Sequence, residues 1–385
     1  KANTTANNNT ALGYAAMQSN TTGASNVAVG NVALDANTTG DKNTAVGEES
    51  LGQNTTASNN TAVGYRSLNA NTTGSTNTAI GDDCLRKNTT ASNNAAGGYR
   101  ALEENTTGTQ NTAFGSEALR ENTTASNNTA LGYSALFANT TGSNNVAVGQ
   151  EALFNNQTGG SNVAIGRYAL RTLSNFGQLN VAIGYAASYN QNADCMNTAV
   201  GANALQACTT GNLNTSVGRL SNNSLTTGNS NVTIGYAAAQ TATTGSNNVT
   251  IGYNSAPSSG TASHEITLGN TSNNNLRCND TSISSLSDRR DKTDIIDLTA
   301  GLDFLNTLLP RQFKWQTRDG NIKDGLVRAG FIAQELQEAQ KNFDFLDLVM
   351  ENNPERLEAK QEHLIPVLVK AIQELSEKVT ALEAG

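Results

Sequence analysis

The residues best suited to chemistry lie in the stretch from Leu286 to Lys292, which reads Leu-Ser-Asp-Arg-Arg-Asp-Lys. Ser287 stands five positions before Lys292. A serine hydroxyl is a weak nucleophile that needs a neighbouring base, and a lysine acts as one only when desolvation keeps much of it neutral. The pair favours a self-cleavage junction. Taken alone, however, the spacing is more typical of an exposed polar loop.

The character of the chain changes at this stretch. Residues 1 to about 270 are rich in Asn, Thr and Gly, whereas 31 of the 56 charged residues lie in residues 281–385. The whole chain is 37% apolar and only 15% charged. Low charge together with low hydrophobicity indicates order built from backbone hydrogen bonds and small side chains, because disordered chains usually carry more charge.

Several classes of function are excluded by composition. The net charge of −8 and the lack of basic patches argue against nucleic-acid binding. The two histidines are isolated and the cysteines are too far apart for a zinc site or a disulfide framework, so we expect no metal and no cofactor. No run approaches the ~18 apolar residues of a membrane helix, and no signal peptide opens the chain, so we expect no membrane insertion. The cysteines are Cys84, Cys195, Cys208 and Cys278.

A 17-residue repeat fills residues 1 to about 270. One glycine marks each unit, which we call the repeat glycine, and it ends an Ala-apolar-Gly triplet or a close variant. The spacing is 17 residues except for one interval of 18, and such regularity predicts a repeat architecture. The repeat glycines are Gly13, Gly30, Gly47, Gly64, Gly81, Gly98, Gly115, Gly132, Gly149, Gly166, Gly184, Gly201, Gly218, Gly235, Gly252 and Gly269.

Each unit has the composition of short strands joined by turns. The residue before the repeat glycine is mostly Leu, Val, Ile or Phe, and the residue two earlier is mostly Thr or Val, which indicates a period-two strand. A Leu recurs four residues after the glycine, as at Leu34 and Leu51, and Asn-Thr-Thr-Gly or Asn-Thr-Thr-Ala-Ser segments supply turns. The unit predicts one coil of a β-solenoid with two short strands.

Stacked coils satisfy each other's backbone groups and align equivalent Asn and Thr side chains in ladders. Sixteen coils at about 4.8 Å each give a rod on the order of 75 Å long. The thin core of Ala, Val, Leu and Thr leaves one apolar face poorly covered, so we expect lateral association.

A tyrosine often follows the repeat glycine directly. A spaced aromatic stripe is able to bind carbohydrate, but packing over neighbouring coils or across subunits is the favoured interpretation. The many Asn-x-Thr/Ser sequons follow from the turn composition and are not taken as glycosylation sites. The tyrosines are Tyr14, Tyr65, Tyr99, Tyr133, Tyr185, Tyr236 and Tyr253.

The C-terminal region mixes helix and strand patterns. The leucines from Leu298 to Leu309 have helical spacing that stops at Pro310. Residues 311–315 alternate as a strand, and Asp319-Gly320 predicts a turn beyond it. Residues 330–336 predict the end of a strand that leads into a helix.

Residues 364–384 have the heptad spacing of a coiled coil. Leu368, Leu375 and Leu382 repeat at one seam position, and Ile365, Ile372 and Val379 repeat at the other. Taken with Leu at position a and Ile at position d, this pattern disfavours two strands, and three strands match a trimeric rod. The alternative is an ordinary amphipathic helix of a domain core.

Two resemblances to known families follow from these motifs. The Asn-(Val/Thr)-Ala-(Val/Ile)-Gly unit resembles the head repeats of trimeric autotransporter adhesins, which implies β-rolls packed three to a bundle. Residues 284–385 resemble the intramolecular chaperone domain of phage endosialidases, tail fibres and neck appendages. Three motifs occur there in the family's order: residues 287–292, residues 330–335 (Gly-Phe-Ile-Ala-Gln-Glu) and residues 364–375.

The second resemblance implies a chemistry. In that family the C-terminal domain trimerises, assists folding of a β-rich fibre and is released by autoproteolysis before the motif serine. Carried over, the cleaved bond joins Leu286 to Ser287, Ser287 is the nucleophile and Lys292 is the base. Asp288, Arg289 and Arg290 are candidates for positioning the loop or stabilising the oxyanion.

One residue departs from the family pattern. Asp291 stands where the family usually has an apolar residue, and a carboxylate there favours the charged form of the neighbouring lysine. We therefore expect slow or impaired cleavage.

The sequence thus predicts a trimeric β-solenoid shaft (residues 1–270), a junction (271–286) and an α+β chaperone (287–385) that ends in a trimeric coiled coil. The predicted function is a phage tail fibre in the virion, made in the host cytoplasm, that attaches to a host receptor or glycan. Its only expected enzymatic activity is self-cleavage, and its partners are two further copies and the rest of the fibre.

Two rival functions remain. A bacterial trimeric surface adhesin predicts a C-terminal membrane anchor, whereas the chain ends at Gly385 in a soluble coiled coil. A glycan-degrading spike needs paired carboxylates in a groove. The acids of the shaft, such as Glu48 and Asp82, are instead scattered over the repeat.

Overall fold

The computed structural model describes residues 5–173, 177–193, 195–273, 276–277, 287–316, 322–351 and 357–384. The chain divides into two compact units, Lys1–Asn270 and Thr271–Gly385. The first unit is a β-solenoid, and the second is a small α+β region that ends in a helix.

The solenoid contains one three-residue strand per turn, and the sixteen strands form one parallel sheet in sequence order. The strands β1–β16 are Thr10–Leu12, Val27–Val29, Thr44–Val46, Thr61–Val63, Thr78–Ile80, Ala95–Gly97, Thr112–Phe114, Thr129–Leu131, Val146–Val148, Val163–Ile165, Val181–Ile183, Thr198–Val200, Thr215–Val217, Val232–Ile234, Val249–Ile251 and Ile266–Leu268.

The period-two pattern of each strand decides which residue enters the core. In the strands between the first and the last, the central residue, usually Ala as in Ala28 and Ala45, is buried, while its two neighbours point outward. Neighbouring strands pair in register, so that Ala28 lies opposite Ala45 in the next turn. The small central residue suits a narrow coil, because a larger side chain has no room between the strand and the opposite wall.

The prediction of a second strand in each coil is wrong. The residues after the repeat glycine alternate into the left-handed region, with φ of 50° at Val32 and 53° at Leu34. They still bond to the next turn, since Leu34 N donates to Ser50 O at 3.0 Å. Leu34 is fully buried and, with its equivalents, fills the core opposite the alanines. Backbone bonding and leucine burial offset the strain of left-handed backbone at non-glycine residues.

Two asparagine ladders run along the inside of the turns. In the first ladder, Asn37 Nδ2 donates to Asn20 Oδ1 at 2.8 Å, and the same bond repeats up to Asn156. In the second, Asn26 Oδ1 accepts from the backbone N–H of Asn43 at 2.8 Å. Buried amides cost free energy when unpaired, so these bonds explain why Asn recurs at these two positions. The first ladder comprises Asn20, Asn37, Asn54, Asn71, Asn88, Asn105, Asn122, Asn139 and Asn156.

The repeat glycine is required by backbone conformation and by space. Gly115 has φ of 138°, and a Cβ built on it would lie 2.4 Å from Gly132 O. An L-residue is disfavoured at that φ, and the backbone of the next turn blocks its side chain.

The fifth position after the repeat glycine forms a continuous column of side chains. Glu103, only 3% exposed, accepts from Arg86 Nη2 at 2.6 Å and from Arg120 Nε at 3.1 Å. Further along, Phe137 and Phe154 stack with centroids 5.1 Å apart. Burial raises the pKa of Glu103, but the hydrogen bonds from the two arginines outweigh burial and lower it overall. The column specifies the order of these few turns, because loss of the turn that carries Glu103 would bring Arg86 next to Arg120.

The C-terminal unit contains α1 (Leu302–Leu305), β17 (Arg311–Gln316), β18 (Ile322–Gly330), α2 (Ala333–Ala339), β19 (Val349–Met350), β20 (Glu358–Ala359) and α3 (Leu364–Glu383). Four single 3₁₀ turns cover Arg289–Asp291, Gln340–Asn342, Asp344–Leu346 and Gln361–His363. Strands β17 and β18 pair antiparallel, as do β19 and β20.

The strand predicted over 311–315 and the strand-to-helix passage over 330–336 are confirmed. The helix predicted from Leu298 to Leu309 is wrong in length, because α1 spans only Leu302–Leu305. The carboxylate that caps this short helix comes from α3, where Glu374 Oε2 accepts from Leu302 N at 2.7 Å. The predicted Asp319-Gly320 turn lies outside the described residues.

Helix α3 packs one face on its own unit and leaves the heptad seam uncovered. Leu364, Val367 and Ala371 are buried, whereas Ile372 is 66% and Leu382 is 81% exposed. The assignment of Leu to position a is wrong, because a precedes d by three residues and Ile365 precedes Leu368 by three. Ile or Val therefore occupies a and Leu occupies d, a pattern that favours two strands in an isolated coiled coil.

Candidate functional site

The candidate site is the short turn that follows the solenoid unit in the sequence. Ser287 and Lys292 flank the 3₁₀ turn Arg289–Asp291, and Lys292 Nζ donates to Ser287 Oγ at 2.6 Å. Both side chains are exposed. The structure thus brings together the two residues that the sequence predicts as base and nucleophile.

The Asp288 carboxylate accepts hydrogen bonds from both the backbone and the side chain of Arg290. Its Oδ1 accepts from the backbone N–H of Arg290 at 2.9 Å, and Arg290 Nη2 donates to Oδ2 at 2.6 Å. The Arg290 side chain, followed by its backbone N–H, holds the pKa of Asp288 below its ordinary value of 3.8, and Asp288 in turn raises the pKa of Arg290.

The remaining site residues are placed differently. The side chains of Arg289 and Asp291 are exposed and, within the part of the chain that the structure describes, take part in no ion pair. Leu286, the residue predicted on the other side of the cleaved bond, lies outside the described residues. The sequence offered Asp288, Arg289 and Arg290 as equal candidates for positioning, and the geometry separates the first and third from the second.

An amine in hydrogen-bond contact with a hydroxyl can act as its general base once the amine is neutral. The observed contact therefore has the geometry that nucleophilic activation of Ser287 requires. No group of three or more His, Cys, Asp or Glu side chains close enough to hold a metal occurs among the described residues.

The outward face of the sheet forms a second candidate surface, which we call the apolar stripe. It consists of the exposed residues that precede the repeat glycines and carries no charge at any of the sixteen strands. The exposed members are Leu12, Ile80, Phe114, Leu131, Ile165, Ile183, Val217, Ile234, Ile251 and Leu268.

The tyrosines beside the stripe have protein neighbours. Arg66 lies over the Tyr65 ring at 4.7 Å, Arg100 over the Tyr99 ring at 4.9 Å, and Tyr236 stacks on Tyr253 at 5.5 Å. Of these three contacts, the Tyr236–Tyr253 stack joins two turns and supports packing on neighbouring turns, whereas each arginine directly follows its tyrosine in the same turn.

The buried cysteines are chemically quiet. Burial raises the pKa of the Cys84 and Cys208 thiols to about 12. A thiol in that state is not a nucleophile at neutral pH. Cys278 lies outside the described residues. Over the described part of the chain, no helix has both the length and the apolar character needed to cross a bilayer.

Comparison with known proteins finds a family model that matches the region of this turn. Residues 287–345 match the family model described as the chaperone of endosialidase. The match begins at Ser287 and includes Lys292, β17, β18 and α2. No curated protein and no solved structure matches the chain.

Residues 287–345, which match this family model, therefore follow a β-solenoid in the sequence, as the resemblance implied. Two features of this unit were not found from the sequence. One is the Asp288–Arg290 pair as the device that closes the turn, and the other is the cap that Glu374 supplies to α1. Leu302 and Glu374 are 72 residues apart, so no local sequence pattern could have indicated their hydrogen bond.

Proposed function

We propose that the protein is a structural, homotrimeric phage tail fibre whose C-terminal unit is a self-cleaving intramolecular chaperone. The observation that carries this proposal is the 2.6 Å contact between Lys292 Nζ and Ser287 Oγ at the start of the endosialidase-chaperone segment. The chaperone assembles three chains, assists folding of the shaft and is then released.

The proposed reaction balances within the chain and one water molecule. Neutral Lys292 takes the proton of Ser287 Oγ as Oγ bonds to the Leu286 carbonyl carbon. The Leu286–Ser287 C–N bond breaks, and the leaving amine takes the proton from Lys292. Water then hydrolyses the ester, which leaves a carboxylate on Leu286 and restores the Ser287 hydroxyl at a new amino terminus.

Assembly supplies the condition that this reaction needs. Both side chains are exposed in the single chain, and water favours the ammonium form of a lysine. Burial of the turn in a trimer removes that water, so cleavage follows assembly. The slowing effect of Asp291 stays a prediction from the sequence, because among the described residues its exposed carboxylate forms no ion pair with Lys292.

Two uncovered apolar surfaces support association of identical chains. The apolar stripe and the seam of α3, which includes Ile365 and Leu375, are both exposed in one chain. Exposed apolar surfaces of this length are typical of interfaces. The number three rests on the resemblance, since the seam pattern by itself favours two strands.

The remaining parts of the proposal concern location and partners. The fibre is made in the host cytoplasm, forms part of the virion and is joined to the rest of the tail fibre. Its shaft attaches to a host receptor or glycan.

The cleavage proposal is tested by mass analysis of the expressed full chain. We expect a released fragment that begins at Ser287, and none from Ser287→Ala or Lys292→Ala, while the assembly state stays unchanged. Ser285→Ala is the matched control, since it removes a nearby hydroxyl but leaves cleavage intact. A fragment that begins at another residue contradicts the assignment.

The assembly proposal is tested by native mass spectrometry of the Ser287→Ala protein, which keeps both units joined. We expect three copies. A stable dimer would show that the heptad pattern sets the stoichiometry, and a stable folded monomer would remove the trimer altogether.

A further inference from the structure

We propose that Asp288 is the positioning residue of the Ser287–Lys292 pair, because it closes the turn that returns Lys292 to Ser287. This inference rests on the cleavage proposed above. It assigns the three candidate residues of the loop an order of importance: Asp288 first, Arg290 second and Arg289 last.

The contact between Ser287 and Lys292 needs a turn. Five residues of extended chain span roughly 17 Å, which is far beyond the reach of a lysine side chain. The observed Nζ–Oγ distance is 2.6 Å. The backbone between the two residues therefore has to fold back, and whatever holds that fold also holds the pair together.

The turn is closed by bonds that start or end at Asp288. Asp291 N donates to Asp288 O at 3.1 Å, and Arg290 N donates to Asp288 Oδ1 at 2.9 Å. Lys292 N then donates to Arg289 O at 3.2 Å, which fixes the direction in which the lysine leaves the turn. An aspartate that caps its own turn in this way competes well with extended conformations.

Arg290 reinforces the same carboxylate from outside the turn. Its Nε lies 3.1 Å from both carboxylate oxygens and its Nη2 lies 2.6 Å from Oδ2. The forked contact restrains the χ angles of Asp288, so that Oδ1 stays aimed at the backbone N–H. The side chain of Arg289 makes no such bond among the described residues.

Four variants of the full chain separate these roles. Asp288→Val removes the acceptor, Asp288→Asn keeps a turn-capping acceptor, Arg290→Ala removes only the fork, and Arg289→Ala is the matched arginine control. A misplacement of about 1 Å can reduce a rate by roughly 100-fold. We expect Asp288→Val to slow cleavage by between about 10-fold and 100-fold, Arg290→Ala by a few-fold and Arg289→Ala hardly at all.

The informative result is rescue by the conservative variant. Asp288→Asn should restore most of the rate lost in Asp288→Val, with trimer content and melting temperature equal in both. Equal rates for Val, Asn and Asp at position 288 overturn the inference but leave the cleavage proposal standing. No cleavage in the unsubstituted chain overturns both.

A second measurement tests whether residue 287 lies next to Lys292 and does not depend on cleavage. In Ser287→Cys, a neighbouring ammonium should lower the thiol pKa below the ordinary value of about 8.5. The pH at half-maximal alkylation by iodoacetamide, followed on the peptide that carries residue 287, reports this shift. Asp288→Val should return the midpoint towards about 8.5, and so should Lys292→Ala.

The double variant shows whether Asp288 acts through the lysine. If it does, Asp288→Val adds no further shift once Lys292 is alanine. A midpoint that is insensitive to Asp288→Val overturns the inference, as does a full additional shift in the double variant.

Discussion

The two units of this protein are stabilised in opposite ways. In the shaft, hydrogen bonds join each turn to the next, and one continuous core of mostly Ala and Leu runs from turn to turn. In the C-terminal unit the core is a small cluster around Phe304, Leu336 and Val367. Large apolar side chains, including Trp315 and Ile372, remain exposed there. The shaft thus repeats one core along its axis, whereas the C-terminal unit has a single small core.

The difference explains why a repetitive shaft needs a non-repetitive neighbour. Nearly identical turns make a slip by one turn inexpensive, because most contacts after the slip resemble the native ones. Parallel pairing over long connections is also slow and exposes strand edges during folding. Under the proposed assembly, a separate unit that joins the chains would set the starting register, which the repeat itself specifies weakly.

The largest effect is expected from removal of the C-terminal unit. Residues 1–286 expressed alone should be insoluble or aggregated, because unregistered chains expose the apolar stripe and the strand edges. The fraction of soluble protein, followed by circular dichroism of that fraction, is the measurement. Release of the unit after folding serves as the control and should leave soluble rods. Well-formed rods from residues 1–286 alone would show that the shaft sets its own register.

The next largest effect is expected at a repeat glycine. Gly115→Ala forces an L-residue to φ of 138° and places its Cβ 2.4 Å from Gly132 O. Backbone strain and overpacking together should cost at least about 3 kcal/mol. The melting temperature and the hydrogen exchange of neighbouring turns measure the loss.

Gly52→Ala is the matched control. Gly52 has no positive φ, and the equivalent position of later turns holds Asn69 and Arg86. Gly52 is buried, but an added Cβ would first meet the end of the flexible Asn69 side chain, at 3.1 Å, so the loss should be clearly smaller than in Gly115→Ala. Equal damage from both glycine variants would mean that the repeat glycine has no special conformational role.

These two predictions also show what the sequence could reveal. Strict spacing of the repeat glycines was enough to predict the solenoid, because identical turns must stack. The backbone conformation inside each turn could not be predicted from this spacing. A buried leucine at Leu34 looks like a strand residue in sequence, but its φ of 53° places it in left-handed backbone. Only the neighbouring turn, through its backbone bonds, makes that conformation stable.

In the candidate site, too, some features could be predicted from the sequence and others depend on the folded structure. Ser287 and Lys292 were predicted because their motif and the two motifs downstream resemble the chaperone family in order, whereas their spacing alone is more typical of an exposed polar loop. The role of Asp288 was not, since an acid beside two arginines has several equivalent partners until the turn is folded. The C-terminal helix was predictable from its heptads, but the packing of Leu364 and Val367 on the unit's core depends on distant residues.

A smaller effect is expected from the charged column. Glu103→Gln keeps the shape but removes the charge that Arg86 and Arg120 share, and bonds to charged groups contribute about 2 kcal/mol. The folded pKa of Glu103 lies below its ordinary value of 4.5. Its contribution is therefore present above pH 4.5 and is lost as the pH falls through the lowered folded pKa.

Thermal unfolding at two pH values tests this linkage. The difference in melting temperature between the unsubstituted protein and Glu103→Gln should be clear at pH 7 and should shrink at about pH 3. Glu104→Gln is the control, because its pair with Lys87 is exposed and should contribute at most about 1 kcal/mol. A gap that does not change with pH would contradict the assignment of the charge to this column.

The smallest effect is expected at the end of the first asparagine ladder. It tests whether each turn of the shaft is stabilised by bonds to the next turn. Within the described residues, the Asn156 Oδ1 atom is buried and has no hydrogen-bond partner, because Leu173 occupies the position that would supply the next donor. Asn105, in the middle of the ladder, both donates to Asn88 Oδ1 and accepts from Asn122 Nδ2.

Replacement by Leu should therefore cost more free energy of unfolding at position 105 than at position 156. Asn105→Leu breaks two ladder bonds, whereas Asn156→Leu breaks one and also removes an unpaired oxygen. A buried unpaired group costs about 1–3 kcal/mol, so the two variants should differ by about 1–2 kcal/mol. Leu fits the site sterically, since Leu173 and Leu225 are fully buried at the equivalent positions. Hydrogen exchange of the turns on either side of each substitution, compared with the unsubstituted protein, measures the difference. Equal loss of protection at the two positions would mean that the amide ladder contributes no directional stabilisation, and that leucine burial alone sets the stability of these turns.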